Sequence, residues 1–334
     1  MKKQKLRRNS LRGTLLLLML TAVILVASTY AWFTANQTVT VEKLQVNVAA
    51  QNGLQISADG SVWSALVKKT DLQTAATTYN TLINQFPATL SPVSTSGAVD
   101  NGKLKMFAGA TETNTTTGKY ELTATAATES TGASGDFIAF DIFLKVETTT
   151  NIELTTNSGV RLSGEGGSQG IQNAARIAFL VEGNQSSGTA LSTIQAMSGA
   201  TATNRFIWEP NYDVHTAAAV QHALGTYGKT ISQTGQAIIG YDGVKAAIST
   251  AIPVENATAA ANPTYFDPTP IAYSTTAAFP SNVAIFQLQP GITKVRVYMW
   301  IEGQDVDCEN SASGANIDFD LQITKSATQP GSGG

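Results

Sequence analysis

The sequence predicts an all-β protein, a two-layer, jelly-roll-like β-sandwich with short helical and loop insertions. Three observations predict it. Segments alternate apolar and polar residues with period two, most clearly at 283–288, 294–302 and 317–324. Between such segments Thr, Ser, Asn, Gln, Ala and Gly dominate, and charged residues make up only 13% of the chain. Helical spacing appears in two short stretches alone, and no repeat recurs at a fixed period. Roughly nine to eleven strands are expected.

The N-terminus is an export segment. Lys2, Lys3, Lys5, Arg7, Arg8 and Arg12 carry positive charge with no acid among them, and residues 14–27 are almost wholly apolar. Small residues follow, and Ser28 and Ala31 are the candidate cleavage positions that end a signal peptide over 1–31. The other reading is an uncleaved anchor. Residues 14–33 supply about twenty positions, enough for a hydrocarbon core of ~30 Å, and Tyr30, Trp32 and Phe33 would form an interfacial belt. Both readings place the rest of the chain outside the cytoplasm, secreted or at the cell surface, with transient or retained membrane contact through 14–33.

Residues 32–49 form an N-terminal strand. Val39 and Val41 alternate with Thr and Glu, then Leu44, Val46 and Val48 alternate with Lys, Gln and Asn. The apolar phase slips by one at Glu42-Lys43, so a bulge, a kink or two short strands must absorb it. A β-sandwich domain over 50–325 follows. Asn52-Gly53 is a turn signal that closes a hairpin from the first strand onto Leu54 and Ile56. Residues 71–86 carry apolar side chains at helical spacing, with Asp71 as N-cap and Pro87 as stop.

Strands are expected at 103–107 and 120–126, separated by a polar loop, and at 137–146. In the last, Ile138, Phe140, Ile142, Leu144 and Val146 form one apolar face, while Phe137, Ala139 and Phe143 share the other with Asp141 and Lys145. Such a strand belongs near the centre of a sheet. Another buried strand is expected at 176–181. A strand ends at 208–211, and a short helix over 216–224 is capped by Gly225. Five prolines between 238 and 280 mark an insertion. Residues 317–324 place Ile317, Phe319, Leu321 and Ile323 on a core face and Asp318 and Asp320 towards water, and 326–334 is a flexible tail.

Composition narrows the function. Six of the 21 basic residues lie in the export segment, which leaves 15 against 24 acidic ones and a mature charge near -9. An acidic surface without a basic stripe argues against nucleic acid as a partner. The single cysteine, Cys308, excludes a disulfide framework within the chain. No HExxH helix, GxSxG elbow or phosphate-binding loop is present, so no catalytic residue is assigned and the protein reads as non-enzymatic. His215 and His222 would share a helix face near Asp213 but lie too far apart for one metal. Asp305, Asp307 and Glu309 offer hard oxygen ligands at close spacing, a weak calcium site whose alternative is a solvated loop at a strand end. No other cofactor is expected.

Tyr30-Ala31-Trp32-Phe33, following an apolar core and preceding an alternating strand, resembles the start of the TasA and camelysin family of exported biofilm-fibre proteins of Gram-positive bacteria. The segments TYAWFTAN, VNVAAQNGLQIS and VYMWIEGQDVDC also resemble uncharacterised exported clostridial-type proteins. The first likeness covers about 35 residues, and Thr34-Ala35-Asn36 stand where that family often carries acids. The resemblance implies cleavage by a dedicated signal peptidase. It also implies a jelly-roll subunit whose partner is a second copy of itself, polymerising by donor-strand exchange. Trp32, Phe33, Val39, Val41, Leu44, Val46 and Val48 would then fill an open sheet in the neighbour. The alternative is a membrane-anchored binding module, an adhesin or glycan binder, monomeric and exposing Trp63, Trp208 or Trp300 at a loop rim.

Overall fold

The structure is a computed structural model that describes residues 38–48, 53–75, 79, 84–163, 170–211, 215–228, 233–234, 237–238, 242–273, 282–308 and 314–326. Residues 1–37, with the expected cleavage positions Ser28 and Ala31 and with Trp32 and Phe33, the residues Asp213 and Glu309, and residues 327–334 lie outside the described residues.

The chain enters at β1 (Val39–Val48), where the apolar slip becomes a register shift between Val41 and Lys43 within one continuous strand. Short strands β2 (Gln55–Ser57) and β3 (Leu66–Lys68) lead to helix α1 (Lys69–Ala75). This helix starts two residues before the expected cap. Asp71 sits in its first turn, and its carboxylate accepts the Lys68 backbone N–H at 2.9 Å. Residues 84–86 are extended rather than helical, since Gln85 bridges Ala139. Two-residue strands β4 (Thr89–Leu90) and β5 (Val93–Ser94) precede the hairpin of β6 (Met106–Thr113) and β7 (Tyr120–Ala127).

Then come β8 (Ile138–Val146), β9 (Thr150–Leu154), β10 (Gly159–Leu162) and β11 (Ala175–Gln185). Helix α2 (Leu191–Gln195) and β12 (Arg205–Glu209) follow, then α3 (Ala217–Tyr227). The Thr216 side chain caps α3, and Gly228, in the left-handed region at φ 63°, ends it one turn later than expected at Gly225. The last strands are β13 (Ile248–Pro253), β14 (Ala272–Tyr273), β15 (Val283–Leu288), β16 (Gly291–Ile301) and β17 (Asn316–Lys325).

These strands build an all-β sandwich. One sheet has the order β15-β9-β17-β1-β3, with β10 also on β17 and β4 also on β1; the other runs β2-β8-β16-β11-β12-β14. A single core fills the space between them, with Leu44, Val46, Phe319 and Leu321 from the first sheet against Phe140, Ile142, Phe179, Val295 and Val297 from the second. The alternation of β17 holds as expected, apolar positions buried and polar ones half-buried. β2 is a correction. It pairs with β8 in the opposite sheet, so the chain crosses the sandwich between β1 and β2 instead of folding back on β1 as a hairpin.

To the expected two layers the structure adds a third. All eleven residues of β16 are buried, because the outer face of its sheet is covered. The cover is a sheet of order β13-β7-β6-β5 together with α3 and the 242–268 segment, which share a core of Phe107, Leu122, Ala223, Val244, Ile248 and Phe266. The proline-rich insertion is therefore tied into the fold through β13 on β7 and β14 on β12.

Candidate functional site

β1 lies inside its own sheet. On one side it runs parallel to β17, with pairs from Thr40↔Asn316 to Val48↔Ile323; on the other it is antiparallel to β4 and β3. Val39, Val41, Leu44, Val46 and Val48 are all buried in the sandwich core. Burying five such side chains contributes about 7–15 kcal/mol as an upper estimate, at ~1.5–3 kcal/mol each. That is comparable with the whole stability of a domain, about 5–15 kcal/mol. Removing β1 would open a slot between β17 and the β3 and β4 edge. On the water side Lys43 Nζ lies 3.1 Å from Asp320 and Arg161 3.6 Å from the same carboxylate, exposed pairs that help set register but add little energy.

The acidic run near Cys308 is not a solvated loop. Asp305 and Asp307 are buried, and their carboxylates converge with His215 to within 4.8 Å. His215 does not share a helix face with His222, because it precedes the cap of α3. Its Nδ1 is 2.5 Å from Asp307, whose other oxygen accepts the Thr216 N–H at 3.0 Å. Arg176 Nη2 contacts both Asp305 and Glu209, at 2.5 and 2.8 Å. Glu302 takes the Trp300 indole N–H at 3.1 Å. Three buried carboxylates, Glu209, Asp305 and Asp307, thus meet one guanidinium and one imidazole, with Glu302 buried beside them. Burial pushes the Glu209 carboxyl up to about 7, only partly offset by Arg176, and also raises Glu302 and Asp307. Arg176, His215 and the cap of α3 engage these oxygens, which makes the cluster an ionic clamp between the second sheet and α3. Cys308, in no disulfide within the chain, is buried in the sandwich core.

A second polar cluster, on the outer face of β8 and β16, was not foreseen. Arg296 Nη1 holds Asp141 at 2.7 Å and its Nη2 holds Glu129 at 2.8 Å, while Lys294 Nζ lies 3.2 Å from Asp141. Lys103 also reaches Glu129, at 2.9 Å. Burial alone would raise the Asp141 carboxyl, but the Arg296 and Lys294 charges outweigh it and hold the group below its usual range. A cavity of about 280 Å³ adjoins this cluster, lined among others by Tyr79, Glu182, Met197 and Lys294. The available signal was Asp141, Lys294 and Arg296 interrupting strands that are otherwise apolar.

Of the tryptophans that a binding module would display, Trp208 and Trp300 are 0% exposed. Trp63 is half-buried beneath Lys145, whose Nζ is 5.4 Å from the ring centroid. Among the described residues no helix is long and apolar enough to cross a membrane.

The chain matches no family model, no curated protein and no solved structure.

Proposed function

We propose that this protein is a non-enzymatic, extracellular structural subunit of a cell-surface or biofilm-matrix filament, assembling by exchange of its N-terminal strand. The observation that supports this reading is the position of β1. It is the first described strand, it fills a central slot of its sheet, and it pairs in parallel with the last described strand. A parallel pairing has no hairpin to keep it within one molecule. The same strand, donated by a second copy, would meet the same partners and the same apolar core. Such a contact is heterologous, and it gives a filament when it does not close into a ring. The export segment and the acidic mature chain fit an extracellular setting.

The test is electron microscopy of the protein without residues 1–31 beside a version without 1–48. Filaments from the first and none from the second are expected. Adding a synthetic peptide of residues 38–48 to the second should yield soluble, folded monomers, which separates loss of the donor strand from general misfolding. Monodisperse particles from both versions, over a range of concentration, would overturn the proposal.

A further inference from the structure

We propose that Lys294 and Asp141 condense into an intramolecular amide bond that staples β16 to β8 beneath the third layer, with Glu182 relaying the proton. The two residues sit on adjacent antiparallel strands, one step apart on the covered face, since Asp141 pairs with Arg296 and Phe143 with Lys294. Their side chains are only 4% and 9% exposed, and Lys294 Nζ is 3.2 Å from Asp141 Oδ2. The amine is also held in place. It donates to the Tyr79 hydroxyl at 2.7 Å and to the carbonyls of Gln195 and Met197, each at 2.8 Å.

The carboxyl is oriented as well. Arg296 Nη1 binds Oδ1 at 2.7 Å, leaving Oδ2 towards the amine. A guanidinium at Oδ1 withdraws electron density from the carboxyl carbon and stabilises the negative oxygen that forms there. Glu182 lines the same cavity and is 4% exposed. Its Oε2 accepts the Ala200 N–H at 3.1 Å, whereas Oε1 has no hydrogen-bond partner among the described residues. Burial pushes its carboxyl up to about 7, so both protonation states are accessible near neutral pH.

The bond changes balance without any other reactant. The Lys294 ammonium passes one proton to the Glu182 carboxylate across the cavity that both residues line, Glu182 hands it to Asp141 Oδ2, and the freed amine lone pair attacks the now neutral carboxyl carbon. The nitrogen then gives a second proton to the same Oδ2. The C–Oδ2 bond breaks, water leaves into the cavity, and Oδ1 becomes the amide carbonyl. One C–N bond is made, one C–O bond is broken, and Glu182 ends as it began. Condensation also removes a buried charge pair, whose desolvation is costly. Arg296 keeps Glu129 as its partner, at 2.8 Å.

The inference does not depend on the filament reading and is tested on soluble monomer. The intact mass of the purified, denatured protein is expected to be one water below the sum of its residues. Trypsin should leave Lys294 uncut, in a branched product that joins the Asp141 and Lys294 peptides. Lys294→Arg and Glu182→Gln should restore the full mass. A full mass in wild-type protein shown by circular dichroism to be folded would overturn the proposal, and this result does not require the variants to fold. A deficit carried by a single unbranched peptide, or one that persists in Lys294→Arg, would overturn it too.

Discussion

Deleting Glu42 should leave the protein nearly as stable as before, whereas deleting Gln45 three residues later should cripple it. Along β1, Val41 pairs with Ile317, Lys43 with Asp318 and Leu44 with Phe319, and Glu42 is the extra residue that the register skips. Without it the strand reads Val39-Thr-Val41-Lys43-Leu44-Gln45-Val46, in unbroken alternation, and each remaining pair with β17 is kept. The cost is confined to the offset between the β4 and β3 pairings on the far side, less than ~1 kcal/mol for a change at an exposed position. Loss of Gln45 brings Leu44 next to Val46 and breaks the alternation within the core-facing run. Keeping Val46 and Val48 inside then turns Leu44 outward, at about 1.5–3 kcal/mol, and turns Lys43 inward, where an unpaired ammonium costs more. Urea denaturation followed by the fluorescence of the buried Trp208 and Trp300 measures both variants. Equal losses of stability would refute the account of the bulge as a register device.

Other outcomes follow from the buried charges. Glu182 and Glu209 are both raised to about 7 from 4.5, so the folded state holds more protons than the unfolded one between those values, and stability falls as pH rises through that window. The melting temperature should therefore be higher near about pH 5.5 than near about pH 8, by ~2–4 °C per kcal/mol, and Glu182→Gln should flatten the profile. A flat wild-type profile would contradict the assignment. His222, lowered by burial, acts with the opposite sign and limits the gain as pH falls through its ordinary value of 6.5. Arg296→Ala takes the guanidinium from the buried Glu129 carboxylate and from Asp141 Oδ1, leaves Glu129 with Lys103 alone, and should cost about 3–5 kcal/mol in chemical denaturation, with Arg296→Lys recovering part of it. Cys308 should resist a thiol reagent in the native protein and react fully in denaturant, since it is buried in the sandwich core. Rapid labelling of the native protein would place it elsewhere.

What the amino-acid sequence determined by itself was the local part of this fold. The faces of β8, β16 and β17 and the slip at Glu42 were legible because a strand writes its two faces into alternate residues, and that pattern needs no knowledge of partners. Which strands meet was decided only by the tertiary structure. β2 crosses to the opposite sheet because its apolar side chains complete the pairing of β8, and nothing within residues 52–57 records this. The polar face of β16 read as half of an ordinary alternation until the β5–β7 and α3 layer covered it. Lys294, Arg296 and Tyr298 then needed Asp141 and Glu129 to remain charged or hydrogen-bonded out of water. Likewise, Asp305 and Asp307 offered the same carboxylates to a solvated loop or to a metal, and only the approach of Arg176 and His215 from distant strands and helix made them a clamp. Alternation is a property of neighbours along the chain. Charge compensation is a property of neighbours in space, and it emerges only when the layers close.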